Sequence, residues 1–164
     1  MDYGMIGKIE KAKWYAAHPE RATFNSFTVE FKGDNSTYTL ELSPGGWHCS
    51  CSGFRTHSIC PHVMALEKLL KVMLKREPLA YAQGQNVVSD VDKAMRYSEE
   101  SDRINFSSFD VTFQGENGDH HTMFHGDSWA CDCDFFHSRK VCSHTMAMER
   151  ILKGMLNTPV VIFE

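Results

Sequence analysis

The chain has 164 residues, enough for one ordinary domain or two small ones, with 42% apolar residues and no low-complexity tract. Its formal net charge of −4 argues against a protein that coats nucleic acid through its overall field. No stretch approaches the roughly 18 apolar residues of a membrane span, and the N-terminus lacks the apolar run of a signal peptide. A cytoplasmic, unsecreted protein is therefore expected.

The first element, Ile6–Tyr15, reads as a short helix. Phe27, Val29 and Phe31 then alternate as one face of a strand, and Gly33-Asp34-Asn35 reads as a tight turn. A second strand lies near Thr37–Leu42, a turn at Pro44-Gly45-Gly46, and a third strand carries Trp47-x-Cys49-x-Cys51. A closing helix has apolar residues at 66, 69, 70, 73 and 74, which is one helical stripe, with charged residues at 67, 68 and 71 expected to face water. Pro78 follows as a stop signal.

The same order then repeats. Displaced by 82 residues, the chain falls on itself without a gap, and about a third of the aligned positions are identical. Ser89 with Asp92 resembles a helix N-cap leading into Lys93–Tyr97. Phe109, Val111 and Phe113 repeat the first strand, and Gly115-Glu116-Asn117-Gly118 repeats its turn. A strand near His120–Phe124, a turn at Gly126-Asp127 and a strand carrying Trp129-x-Cys131-x-Cys133 follow. The closing stripe recurs at 148, 151, 152, 155 and 156, with Pro159 beyond it. Lys11, Ala12, Tyr15 and Arg21 also recur, as Lys93, Ala94, Tyr97 and Arg103. The expected fold is α+β: a tandem duplication of a small α-β-β-β-α unit, each with a three-stranded antiparallel sheet and a C-terminal helix. Residues 1–76 are expected to form the first unit, 77–87 the linker and 88–164 the second unit.

All six cysteines fall inside the duplicated pattern, as Cys49-x-Cys51-x8-Cys60-x-His62 and Cys131-x-Cys133-x8-Cys142-x-His144. Without a secretory signal, metal binding is the better reading than disulfides. Three cysteines and one histidine make a closed structural zinc site, so two Zn²⁺ are expected, one per repeat. Residues two apart on a strand point the same way, so Cys49 and Cys51 can face one ion. Cys60 and His62 approach from a helix entry, where Pro61 and Ser143 are suitable residues. Six thiolates and two divalent ions take the formal charge from −4 to −6. Four protein ligands leave no open position for catalysis, so no enzyme is expected. A unit this small has a thin core, and loss of its zinc is expected to unfold that copy locally.

The pattern resembles the SWIM zinc finger, whose signature is Cys-x-Cys, a variable gap and Cys-x-His on a strand-strand-helix unit. It stands here as Trp47-His48-Cys49-Ser50-Cys51 … Cys60-Pro61-His62 and Trp129-Ala130-Cys131-Asp132-Cys133 … Cys142-Ser143-His144, with Met64-Ala65-Leu66-Glu67 and Met146-Ala147-Met148-Glu149 following. The chain looks like the stand-alone members, without an attached ATPase, transposase or ligase domain. The resemblance implies zinc binding, with DNA binding or protein–protein interaction as the family's usual proposed roles.

Recognition is expected on the gaps between ligand pairs, Ser52–Ile59 and Asp134–Val141, read as loops. Arg55 and His57 in the first, and His137, Arg139 and Lys140 in the second, are the candidate nucleic-acid or partner contacts. Phe54 and Phe136 are read as packing over the metal sites rather than stacking on bases. His120, His121 and His125 are read as surface residues rather than a third metal site. Val160–Phe163 is read as capping the core, with a docking segment as the alternative. The partner is a protein or a nucleic acid, with no membrane and no small-molecule substrate. The first reading is a non-catalytic interaction adaptor, which the acidic balance favours; the alternative is a DNA-binding module using the basic second gap. A redox or metal-storage role is weaker than either.

Overall fold

In the computed structural model, which describes residues 3–156, one antiparallel sheet runs through both repeats. In chain order the elements are α1 (Tyr3–Ala17), β1 (Ala22–Lys32), β2 (Thr37–Ser43), β3 (Gly46–Cys49), α2 (Ser52–His57), α3 (Pro61–Leu69) and α4 (Lys71–Leu74). The second repeat supplies α5 (Val87–Glu99), β4 (Ile104–Gly115), β5 (Gly118–His125), β6 (Ser128–Cys131), α6 (Asp134–Arg139) and α7 (Ser143–Ile151). None of the described helices is long and apolar enough to cross a membrane.

The strands follow from period-two alternation. In β1, Ala22, Phe24, Phe27, Val29 and Phe31 are buried, and in β4 their counterparts Ile104, Phe106, Phe109, Val111 and Phe113 are buried. The polar residues between them, such as Thr28, Glu30 and Asp110, lie on the opposite face. Among the described residues that face is mostly polar, and the helices lie against the buried one.

Three strands from each repeat join rather than closing two separate sheets. The order is β3-β2-β1-β4-β5-β6. Phe27 pairs with Phe109, its own counterpart in the other repeat, so an approximate twofold axis passes between them. Matching register shifts flank that pair, between Phe24 and Ser26 and between Thr28 and Val29. The duplication thus folds as a fused dimer.

The helices cross this axis. α1 packs on α7, and α5 packs on α3, so each opening helix covers the other repeat's zinc helix. Ala12 and Tyr15 on α1, and Ala94 and Tyr97 on α5, are the buried contact residues. The repeated arginines explain themselves here. Arg21 reaches the Gln114 carbonyl at 3.5 Å and Arg103 the Lys32 carbonyl at 2.9 Å, each in the other repeat. Asp34, at the β1–β2 turn, accepts both Arg96 nitrogens at 3.1 and 2.7 Å, Arg103 at 3.2 Å and the Tyr97 hydroxyl at 3.2 Å. The Arg96 hydrogen bonds hold its carboxyl down at about 2. This cluster is exposed, so it positions Tyr97 more than it stabilises the chain.

Several boundaries differ from expectation. The first closing helix is interrupted at Leu70 (φ −105°, ψ 14°), which starts the separate short helix α4. The apolar stripe survives the break: Leu66, Leu70, Met73 and Leu74 are all buried. Lys68 and Lys71 face water, but Glu67 is half-buried and accepts the Leu79 N–H at 2.7 Å. α5 starts before Ser89, because the Asn86 side chain accepts the Ser89 N–H at 3.2 Å and caps it. The two gaps read as loops are the helices α2 and α6, each closed by a left-handed residue, Ser58 and Lys140, both at φ 60°. The Val160–Phe163 segment and the Pro159 stop lie outside the described residues.

Candidate metal centres

Each centre is built where a hairpin edge meets two helix starts. Cys49 ends β3 and Cys51 caps α2, its Sγ accepting the Phe54 N–H at 3.4 Å. Cys60 caps α3, its Sγ accepting the Val63 N–H at 3.5 Å, with Pro61 in the first turn where no N–H is needed. His62 follows on that turn. In the second repeat Cys131 ends β6, Cys133 precedes α6, and Cys142 caps α7. There Thr145 donates its N–H to the Cys142 sulfur at 3.5 Å, and its hydroxyl accepts the Cys142 N–H at 3.1 Å.

The ligand atoms of each set lie within 4.8 Å of one another, and these two sets are the metal-type clusters found among the described residues. Nδ1 of His62 is 3.8 Å from the Cys49 sulfur, and Nδ1 of His144 is 3.6 Å from Cys131 and 3.8 Å from Cys142. A tetrahedron with Zn–S of about 2.3 Å and Zn–N of about 2.0 Å places its corners roughly 3.5–3.8 Å apart. Each site fits one zinc ion.

The donor electrostatics call for a cation. Hydrogen bonds from Cys49 and then Cys60 depress the Cys51 thiol, while Cys49 is pushed up to about 11 and Cys60 is raised by the crowded sulfurs. In the second set Cys142 holds Cys131 down at about 3, Cys142 itself is raised, and burial raises Cys133. One thiolate forms readily in each cage; the others must ionise beside it. A divalent ion turns that repulsion into attraction, at the cost of releasing protons.

Each ligand histidine sits in an aromatic box with one wall from the other repeat. His62 meets Phe31 at 5.0 Å, Tyr38 at 4.6 Å and Tyr97, from α5, at 5.6 Å. His144 meets Phe113 at 5.2 Å, His120 at 4.9 Å and Tyr15, from α1, at 5.5 Å. Gly33 permits the first box: a Cβ there would lie 2.9 Å from Tyr38 Cε2 and 3.4 Å from His62 Nε2. Such an outer shell orients the ligand and excludes water. Tyr97→Ala is expected to speed zinc release from the first site about tenfold, the low end for outer-shell changes, while Tyr97→Phe retains the slow rate. Release into a chromophoric chelator reads this, and equal rates for wild type and Tyr97→Ala would show that the wall is inert.

The expected contact residues are spread out. His137, Arg139 and Lys140 are exposed on and just after α6. Arg55 is exposed on α2, but His57 is half-buried, and a Cβ on Gly84 of the connector would stand 3.8 Å from its Nε2. Lys8, on α1, was not legible as a contact residue. Its ammonium lies 5.2 Å from the Phe135 ring, and the Arg139 guanidinium lies 5.4 Å from the same ring. The repeat gives no signal for it, since its counterpart is Asp90. Phe136 is 8% exposed against Cys133 and Cys142, and Phe54 packs on the core, so both serve the metal sites. His120 bonds Asp132 at 3.1 Å and lies tilted against His144, and His121 lies 3.5 Å from Asp110; neither belongs to a third metal cluster among the described residues.

A second surface feature lies away from the metals. The connector from Arg76 to Tyr81 runs beside α3 and α5, leaving a groove of about 510 Å³ with Met64, Leu74, Val91 and Met95 in its lining.

The family model for the SWIM zinc finger matches residues 27–71 and 109–152, more than half of the chain, with one segment on each metal centre. No match was found among curated proteins or among solved structures.

Proposed function

Because the chain belongs to the SWIM zinc finger family, we propose that it is a non-catalytic adaptor whose two zinc ions serve only the fold and whose task is to bind another protein. The observation that carries this reading is the apolar groove beside α3 and α5, set against metal cages already filled by four protein donors each. A closed cage offers no site for substrate or activated water. Thiolate-rich sites of this kind suit a reducing, intracellular compartment. Each repeat's three strands and closing helix act as one α-β-β-β-α half of the adaptor.

A second reading rests on a different observation. Phe135 lies beside both Lys8 and Arg139, with His137 on the same short helix and Lys140 just after it. An aromatic ring flanked by cations is the pattern that stacks a base and holds its phosphates, which supports DNA binding through the second finger. The acidic balance of −4 before metal opposes it.

One pair of measurements separates the two. Zinc-loaded chain is passed through nuclease-treated native lysate, and fluorescent oligonucleotides, single- and double-stranded, are titrated at about 50 and 200 mM salt. The adaptor reading expects a stoichiometric protein partner and weak oligonucleotide binding. Binding that falls steeply with salt, abolished by Arg139→Glu and without any protein partner, establishes the second reading instead.

A further inference from the structure

We infer that the groove beside α3 and α5 is the docking site for an acidic peptide segment bearing apolar anchors, supplied by the partner protein; the inference rests on the adaptor reading. The argument starts from exposure. Tyr81 and Met95 are large apolar side chains left 59% and 49% exposed at the groove. Val88, Val91 and Met95 lie at i, i+3 and i+7 on α5, a second stripe distinct from the buried Ala94 and Tyr97. Val88 is 76% exposed, so the apolar surface runs along the helix rather than ending in a closed pocket. An elongated apolar trough fits a peptide with repeated anchors better than a compact small molecule.

Charge selects the peptide. Lys68, Lys71 and Arg76 stand at the groove, and none of them forms an ion pair among the described residues. The acid in the same lining, Glu67, is turned inward to the Leu79 N–H, where it fixes the connector as a wall. In a chain of net charge −4, the exposed charges in the groove's lining are all cationic, with Asp92 standing beyond it next to Val88 on α5. A basic segment would be repelled there, and a nucleic acid would have no use for the floor of Met64, Leu74 and Val91. Acidic side chains flanking Leu- or Phe-type anchors complement both features.

The test uses the full zinc-loaded chain and three fluorescein-labelled peptides. One has Leu at i, i+3, i+4 and i+7 with Glu elsewhere; the second has Lys in place of Glu; the third has Ser in place of Leu. The first is expected to bind at least about tenfold tighter than the other two by anisotropy. Met95→Glu and the double change Lys68→Glu/Lys71→Glu are each expected to weaken it about tenfold or more, whereas a change at the exposed Lys153 of the other repeat, Lys153→Glu, leaves it unchanged. Deuterium uptake on peptide addition is expected to fall within 64–71 and 78–95. Variants are compared only after each retains two zinc ions and the wild-type melt. Equal binding of the three peptides, absence of binding, insensitivity to Met95→Glu, or displacement of the acidic peptide by single-stranded DNA overturns the proposal. If Met95→Glu still captures the lysate partner, the groove fails while the adaptor reading stands. If the wild type captures no protein at all, the adaptor reading itself fails.

Discussion

Cys60→Ser is expected to empty the first zinc site and to unfold both repeats in one transition. Structural zinc contributes about 10–16 kcal/mol at neutral pH, against a total stability of about 5–15 kcal/mol for an ordinary domain. Loss of one ion is therefore enough to tip the balance. The sequence alone makes that unfolding local, because each copy carries its own ligand set. The structure makes it global. Strands β1 and β4 pair along their length, one contiguous cluster takes in most buried residues of both repeats, with Cys133, Phe136 and Cys142 forming a smaller one, and Tyr97 of the second repeat walls the first site. Zinc content and a circular dichroism melt check this together; two separate transitions, the second at the wild-type temperature, would show independent units. Acid acts in the same direction. The zinc-loaded fold binds fewer protons than the unfolded chain, since thiols that hold protons below about 8.5 when unfolded are thiolates on zinc. Stability thus rises with pH up to about that value, and falls as pH is lowered.

Phe106→Ala is expected to cost about 3–5 kcal/mol, the usual penalty for removing a fully buried phenylalanine. Phe106 is wholly buried on the axis between the repeats. Its ring stacks on Phe24 at 5.7 Å and meets Phe27 at 5.4 Å and Phe109 at 6.3 Å, while its backbone N–H donates to the Met155 carbonyl at 2.8 Å. The cavity would open between repeats rather than inside one of them. Denaturant melts of zinc-saturated protein measure the loss. A change below about 1 kcal/mol would mean that the shared seam contributes little.

The ligands were legible because the duplication prints them twice, and eight in-register cysteines and histidines leave one chemical reading. The strands were legible for the same reason that Phe27, Val29 and Phe31 are buried: alternation fixes which side faces inward. What periodicity cannot give is a partner. The buried faces of α1 and α5 are visible as Ala12 with Tyr15 and Ala94 with Tyr97, yet a stripe does not say which repeat covers it. Nor does alternation in β1 say that its free edge will pair with β4 instead of closing a small sheet. The short helices α2 and α6 were hidden because Ser52-Gly53-Phe54-Arg55-Thr56-His57 has poor intrinsic helicity and is too short to form alone. It forms between two anchored ligands, Cys51 and Cys60. The break at Leu70 carries no glycine or proline to announce it, and Ser89 with Asp92 offers a cap signal that competes with Asn86.

Metal content with X-ray absorption at the zinc edge tests the central claim most directly. Purified chain is expected to hold two zinc ions, each bound by three sulfurs at about 2.3 Å and one nitrogen at about 2.0 Å. A single ion per chain, or a shell containing water or carboxylate oxygen, would contradict the account of two closed cages that together hold one sheet.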